Sequence, residues 1–261
     1  MPTPVSVTQL IQGSGNNFHA KVARWFHANG WHTVVSPYYM DQSQAKAREL
    51  DLVVEKTWPI TGTFDQHQGV VVVRLFVECK FIAAEAVFWF APKNSDAATK
   101  LVCGLGPFRD NNSYTFNHHY IAKSPSVAKL FASGNAKAQE NEPFYKALNQ
   151  ALNATVAMRS QSPSHPSLVG RRTGQVVTLN YPVVVCSSFA ELYAVDFLAE
   201  SEPTAIEDNF QLEVQYAFHD RAGNQRDEYF LLDFVAFDQL INFEVDIAKG
   251  AKAGAYLASQ S

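Results

Sequence analysis

The chain has 261 residues, of which 47% are hydrophobic and 13% aromatic, which is enough for a large core and too apolar for a disordered protein. Its formal net charge of −4, from 21 basic and 25 acidic residues, excludes a global positive field that would draw it onto nucleic acid or anionic membrane, but not a local basic groove. Three widely spaced cysteines without a C-x-x-C motif indicate free thiols of a reducing compartment.

The first residues, MPTPVSVTQL, lack the basic start and the apolar run of a signal peptide. The longest apolar runs are interrupted by charged residues, so none is long enough to span a membrane. We therefore expect a soluble, cytoplasmic protein without a membrane partner.

The first half of the chain predicts one helix followed by several strands. In GNNFHAKVARWFHANG, the residues Phe18, Val22 and Phe26 fall on one helical face, which predicts a helix over 17–29. A turn-rich connection is predicted in TWPITGTFDQHQG, and a short helix in SDAATKLVCGLG. The predicted strands are WHTVVSPYY, LDLVVEK, VVVVRLFVECKF (Val70 to Phe81) and EAVFWFAP.

The second half predicts a long helix and then more strands. Pro143 suits the first turn of this helix, and Phe144, Leu148 and Leu152 recur at every fourth residue. A loop rich in Ser, Pro and Gly follows at 161–175. Four apolar segments of strand length and a terminal helix complete the chain.

This order of elements predicts an α/β protein in which a mixed sheet is flanked by helices. The loop at 161–175 allows two interpretations. It is either a boundary between a core over 1–160 and a β-rich extension over 161–261, or a surface loop within one domain.

Three charged residues at the ends of two predicted strands form the candidate site. Because side chains alternate along a strand, Glu78 and Lys80 point to the same side. Asp51 begins the preceding strand, so its carboxylate can lie beside Glu78 if the two strands pair. Carboxylate oxygens suit Mg²⁺, and a neighbouring ammonium can position a water or stabilise charge on a phosphate. The alternative is that Glu78 and Lys80 form the solvated end of an exposed strand.

The pattern ELD, an apolar strand, a turn and then VECK, after a leading helix, resembles the PD-(D/E)xK phosphodiesterase superfamily of restriction-endonuclease-like nucleases. The resemblance implies a core in the order helix, strand, strand, strand, helix, strand, which the C-terminal strands and helix extend. It also implies that Asp51 and Glu78 bind Mg²⁺, with Mn²⁺ as a substitute. The backbone carbonyl of Cys79 would be a further ligand, and Lys80 would orient or deprotonate the attacking water.

The function that this resemblance implies is hydrolysis of DNA phosphodiester bonds by a metal-activated water. DNA would be the partner, and a homodimer would suit the cutting of two strands. Many members of the superfamily carry a Glu on the first helix, where this chain has His19. His19 is therefore a candidate accessory residue, together with Glu49. The alternative is a catalytically inactive nuclease-fold module that serves binding or assembly.

Other polar residues give weaker signals. Arg171 and Arg172 are candidate phosphate contacts, because a guanidinium group suits bidentate binding, but they could equally be ordinary surface residues. Glu55 is predicted to be solvated, and the adjacent His118 and His119 are predicted to lie in a surface loop. A third possibility, an enzyme acting on a small molecule, has no glycine-rich nucleotide motif or G-x-S-x-G motif to support it.

Overall fold

The protein is described by a computed structural model that covers residues 6–13, 15–41, 46–62, 66–110, 112–134, 143–168, 174–220 and 222–260. Within these residues it is an α/β protein, with a ten-stranded mixed sheet flanked by helices and a separate two-stranded sheet. The predicted class, a mixed sheet with helices packed on it, is confirmed at this level.

The helices and strands follow one another along the chain without a repeated unit. The helices are α1 (Val7–Gly13), α2 (Gly15–Ala28), α3 (Ser95–Cys103), α4 (Ser113–Phe116), α5 (His119–Ala122), α6 (Pro143–Met158) and α7 (Leu240–Ser259). The strands are β1 (His32–Val35), β2 (Tyr38–Asp41), β3 (Lys46–Glu49), β4 (Leu52–Thr61), β5 (His67–Lys80), β6 (Ala86–Pro92), β7 (Ser126–Ser133), β8 (Gln175–Cys186), β9 (Leu192–Asp196), β10 (Thr204–Ala205), β11 (Phe210–His219) and β12 (Gln225–Ala236). In the part of the chain that the structure describes, no helix combines the length and apolar character needed to cross a membrane.

The large sheet has the strand order β1-β4-β5-β8-β12-β11-β7-β6-β9-β10, and β2 pairs with β3 apart from it. The range 161–261 supplies the strands β8 to β12, so β8 and β12 lie in the middle of the sheet and not at its edge. β8 is parallel to β5 on one side and to β12 on the other.

β5 is the central strand. It pairs with β4 in antiparallel fashion along one edge and with β8 in parallel fashion along the other. Val73 and Val77 pack into a core cluster with residues of α2 and α7, whereas Phe76 packs on the opposite face against α6. Burial on both faces explains why the strand reads as a continuous apolar run and not as an alternating one.

Two parts of the sequence prediction differ from the structure. β4 continues through Pro59 to Thr61, where the composition predicts a turn, because these residues still pair with β5. The stretch 113–122 reads as a loop but forms the short helices α4 and α5. In both places tertiary contacts override the local signal.

A buried ion pair attaches α6 to the sheet. Arg74 Nε lies 2.7 Å from Glu55 Oε1, and the two residues are 3% and 1% exposed, so the prediction that Glu55 is solvated is wrong. The Arg74 guanidinium also donates to the carbonyls of Met158 and Gln161, at the negative C-terminal end of the α6 dipole. The Ser164 hydroxyl donates to the second Glu55 oxygen. These donors compensate the burial of the Glu55 carboxylate.

We expect Arg74→Met to lower the free energy of unfolding by about 3–5 kcal/mol, because it leaves the Glu55 carboxylate buried without its cation. A double variant that adds Glu55→Met should recover a large part of the loss, since no charge is then left unpaired. Urea unfolding followed by circular dichroism measures both effects. The exposed pair of Arg226 with Asp220 is the control, and Arg226→Met should cost less than about 1 kcal/mol. Equal losses in the Arg74 and Arg226 variants would contradict the role given to the buried pair.

Candidate metal centre

The structure brings Asp51, Glu78 and Lys80 together at one end of β4 and β5. The antiparallel register places Asp51, which directly precedes β4, at the end of β5 that carries Glu78. The backbone N–H of Cys79 donates to Asp51 Oδ2 at 2.7 Å and holds that carboxylate against the strand. Lys80 Nζ lies 3.7 Å from Glu78 Oε2. Two carboxylates and an ammonium group thus converge on one spot.

Glu78 is the most buried member of the group. It is 2% exposed, whereas the side chains of Asp51 and Lys80 are 28% and 21% exposed. Its Oε1 atom is buried and has no hydrogen-bond partner among the described residues. Burial, and next the Asp51 carboxylate, raise the pKa of Glu78 to about 8, while Lys80 acts in the opposite direction. Glu78 is therefore a desolvated carboxyl group with one unsatisfied oxygen, and not a solvated strand end.

This donor set fits a hard divalent cation. The unsatisfied Glu78 oxygen and the Asp51 carboxylate are the kind of ligand that Mg²⁺ takes together with water and phosphate oxygens. A cation bound by Asp51 and Glu78 would relieve the repulsion between the two carboxylates and compensate the burial of Glu78. Among the described residues no group of three or more His, Cys, Asp or Glu side chains is arranged to hold a metal ion, so the side-chain ligands would be a pair of carboxylates.

His19 faces this pair from α2. Its Nδ1 lies 3.9 Å from Asp51 Oδ1, and its Nε2 is buried without a partner in the described part of the chain. The helix holds His19 in place because Phe18 and Val22 beside it are buried in the core. A protonated His19 would attract the Asp51 carboxylate and so compete with a cation, whereas a neutral His19 can hydrogen-bond to a water at the site.

Glu49 lies at the exposed margin of the site. Hydrogen bonds from Ser36 and from the Tyr38 hydroxyl hold the pKa of Glu49 below its usual range, and the Tyr38 bond measures 3.0 Å. Ser36 has a φ of 51°, in the left-handed region that residues other than glycine rarely adopt. Its N–H donates to the Asp51 carbonyl at 2.8 Å. Ser36 thus connects Asp51 with Glu49, and the sequence signals this only through a Ser-Pro turn dipeptide.

The Cys79 side chain lies on the other side of β5 from Glu78. It packs against the core cluster that includes residues of α2 and α7. Burial raises the pKa of the Cys79 thiol well above its ordinary value, and the Asp51 and Glu78 carboxylates add to the shift. The thiol therefore stays protonated, which excludes it as a nucleophile at neutral pH.

The surroundings of the site include other candidate contacts for a substrate. Phe81 directly follows Lys80 and is 67% exposed. No sequence motif marks Phe81 as a candidate contact. The Lys21 ammonium lies 4.1 Å from the centre of the Phe237 ring, and Arg24 is exposed on α2. The predicted phosphate contacts at 171 and 172 lie outside the described residues.

The prediction that His118 and His119 lie in a surface loop is wrong. They are 0% and 4% exposed, and the helices α4 and α5 carry them into the core. His118 Nε2 lies 2.9 Å from the Tyr181 hydroxyl, and His119 Nε2 lies 3.1 Å from Asp233 Oδ2. Burial, with His119 beside it, lowers the pKa of His118 well below its ordinary value. Both histidines are core residues away from Asp51 and Glu78, and His119 Nδ1 is buried without a hydrogen-bond partner among the described residues.

Comparisons of the chain with protein-family models, with curated proteins and with solved structures give no match. The chemistry of the site therefore has to be inferred from its own geometry.

Glu78 gives the metal-free protein a pH-dependent stability. Because the pKa of Glu78 is raised from 4.5 to about 8, the folded protein keeps this proton in a pH range where the unfolded chain releases it. By linkage, this group makes the free energy of unfolding fall as the pH rises through that range. We expect Glu78→Gln to abolish this fall in the free energy of unfolding. Above pH 8 the variant should be more stable than the wild type by on the order of 3 kcal/mol, and toward pH 4.5 the stabilities of the two proteins should converge.

Urea unfolding in the presence of a chelator, repeated across this pH range, measures the difference between the two proteins. Glu85→Gln, which changes an exposed carboxylate, is the control and should follow the wild-type profile. Parallel profiles for the wild type and Glu78→Gln would show that Glu78 ionises normally in the folded protein.

Proposed function

We propose that the protein is a Mg²⁺-dependent nuclease that hydrolyses DNA phosphodiester bonds at Asp51, Glu78 and Lys80. The observation that carries this proposal is the buried Glu78 oxygen without a partner, placed beside a second carboxylate and close to an ammonium group. Burying a carboxylate in this way is costly unless a cation compensates it. Two acidic ligands and a lysine are the groups that metal-assisted hydrolysis of a phosphodiester uses.

The order of elements around the site supports a restriction-endonuclease-like core. α2, β1, β4, β5, α6 and β8 follow one another as helix, strand, strand, strand, helix, strand. The hairpin of β2 and β3 is inserted after β1, and β6, β7 and α3 to α5 are inserted between β5 and α6. In such a core, β4 and β5 would be the second and third strands, and Asp51 and Glu78 would stand at their ends.

Each residue has a distinct role in the proposed reaction. Asp51, Glu78 and the Cys79 carbonyl would hold the cation, and a bound Mg²⁺ supplies positive charge against the phosphate and lowers the pKa of a water. Lys80 orients or deprotonates the attacking water, and its ammonium form stabilises negative charge on the phosphate. The Cys79 N–H fixes one Asp51 oxygen and leaves Oδ1 directed toward His19.

The surroundings favour a polymeric substrate over a small molecule. Lys80 is partly open to solvent, and the exposed rings of Phe81 and Tyr38 flank the site at 67% and 69% exposure. Exposed rings of this kind can stack on bases. Because the net charge is −4, contacts to the phosphate backbone have to come from individual cations such as Lys80 at the site and Arg24 on the exposed face of α2.

His19 favours a second candidate function, a nuclease-fold module that binds or assembles without catalysis. It stands where many members of the superfamily carry an acid, and its Nδ1 is 3.9 Å from Asp51 Oδ1. A protonated His19 in this position supplies the positive charge that a cation would otherwise bring. In that case an ion pair between His19 and Asp51 takes the place of the metal site.

We expect the purified protein to nick or cut plasmid DNA in millimolar Mg²⁺ or Mn²⁺. Asp51→Asn, Glu78→Gln and Lys80→Met should each lower the rate at least about 100-fold, because each removes a metal ligand or the lysine that acts on the water. A gel assay of supercoiled, nicked and linear DNA measures the rate. Glu85→Gln and Lys252→Met, which change exposed residues, should cut at the wild-type rate. Undiminished cleavage by folded Glu78→Gln protein would rule out the proposed site.

Calorimetric titration with Mn²⁺ separates the two functions. The nuclease proposal predicts binding by the wild type that is at least about tenfold weaker in Asp51→Asn and Glu78→Gln but unchanged in Glu85→Gln. The non-catalytic module predicts no binding by the wild type and a gain of binding in His19→Ala. Absence of binding in both the wild type and His19→Ala would contradict the metal site itself.

A further inference from the structure

The large sheet is split between β8 and β12. Each strand is 12 residues long, yet the two pair only where Val183–Cys186 meets Asp233–Ala236. Toward the start of both strands they are separated by a cavity of about 1110 Å³, which residues of 175–182 and 227–231 line from opposite sides. We call this cavity the interstrand cleft.

Both strands present a backbone edge to the interstrand cleft. β8 is paired with β5 along its whole length, and β12 is paired with β11 from Gln225 to Phe234. Each strand therefore uses one edge in the sheet and directs the other into the cleft. Within the described residues, no strand pairing bridges the two edges beyond Val183 and Asp233. Unpaired strand edges are templates for another strand, because their N–H and C=O groups need partners.

Side chains at the interstrand cleft add two further signals for a ligand. Asn180 Oδ1 is buried on the β8 wall and has no hydrogen-bond partner in the described part of the chain. Lys100 and Arg109 are exposed on the wall formed by α3 and the loop after it, and neither makes an ion pair with a described residue. The basic Arg159 at the cleft is already bound to Glu228, at 2.6 and 2.8 Å. The cleft thus leaves an amide oxygen and two cations available, with the cations on the wall opposite the exposed Asp227 carboxylate of β12.

We propose that the interstrand cleft binds an extended polypeptide segment, which inserts as a strand between β8 and β12 and directs an acidic side chain to Lys100 or Arg109. The inserted backbone would hydrogen-bond to both open edges and so make the sheet continuous. Because β8 and β12 are parallel, one segment meets both edges in the same orientation. Normal strand spacing requires these edges to stand about 9.6 Å apart where the segment binds.

The chemistry of the cleft favours a polypeptide over a small anion or a nucleic acid. Either of those ligands would use the cationic side chains but would leave the two rows of backbone groups unpaired. An extended backbone carries donors and acceptors on both of its edges at the spacing that a sheet needs.

The interstrand cleft is distinct from the metal centre. Glu78 and Lys80 pair with the last residues of β8, where that strand is joined to β12. The cleft lies at the opposite end of β8, and a ligand there would not contact the carboxylates. The proposed binding site therefore does not depend on the proposed nuclease activity.

The test is a selection of binders for the full chain from a displayed pool of random peptides of about eight residues. The selection is repeated on Thr178→Trp and Val176→Trp, which fill the cleft from β8, and on Leu130→Trp, which changes an exposed position on β7 as a matched control. Circular dichroism confirms that each variant is folded. We expect peptides with an acidic residue that bind the wild type and Leu130→Trp equally and the two cleft variants at least about tenfold more weakly.

N-methylated forms of a selected peptide then identify the mode of binding. An inserted strand directs alternate N–H groups to β8 and to β12, so methylation of either alternate set should weaken binding at least about tenfold. If methylation of only one alternate set of N–H groups weakens binding, the peptide pairs with a single strand edge. If methylation of neither set weakens binding, the peptide is recognised by its side chains alone. Either result would overturn the proposal, as would a failure to select any peptide that the folded cleft variants bind more weakly. Binding of inorganic phosphate or single-stranded DNA at the cleft in place of peptides would also overturn it.

Discussion

The central constraint in this structure is the position of β5, which is paired along both edges and covered on both faces. Its residues from Val71 to Glu78 are buried, so the strand brings a carboxylate to a place that water does not solvate well. Where the strand leaves the core, the pairing with β4 adds Asp51, and the next outward-facing position adds Lys80. The candidate metal centre is therefore a consequence of where a fully buried strand ends.

The two buried glutamates of the sheet show how a structural carboxylate differs from a functional one. Glu55 on β4 receives hydrogen bonds from Arg74 on one oxygen and Ser164 on the other. Glu78 on β5 has the more distant Lys80 ammonium and the Asp51 backbone N–H acting on its carboxyl group, and its Oε1 has no hydrogen-bond partner among the described residues. The first arrangement compensates the burial within the protein, whereas the second leaves part of the compensation to a ligand.

The sheet also explains why a second candidate site lies away from the metal centre. β8 is held along its full length by β5, and β12 is held by β11 from Gln225 to Phe234. The two strand systems meet through only a short ladder at Val183–Cys186, so the sheet twists apart beyond it. α6 and the loop after α3 border this opening from the two faces of the sheet. One end of β8 therefore borders the metal centre and the other borders the interstrand cleft.

The sequence by itself determined the features that depend on local periodicity. Helical spacing predicted α2 and α6, apolar runs predicted β5 and β6, and strand alternation placed Glu78 and Lys80 on one side. Only the tertiary structure decided which polar groups are buried, because burial depends on partners that are distant in the chain. Arg74 pairs with Glu55 in the core, and Asp233 pairs with His119. The predictions that Glu55 is solvated and that His119 lies in a surface loop were therefore wrong. The interstrand cleft was equally invisible in the sequence, because the point at which two strands stop pairing depends on the twist of the whole sheet.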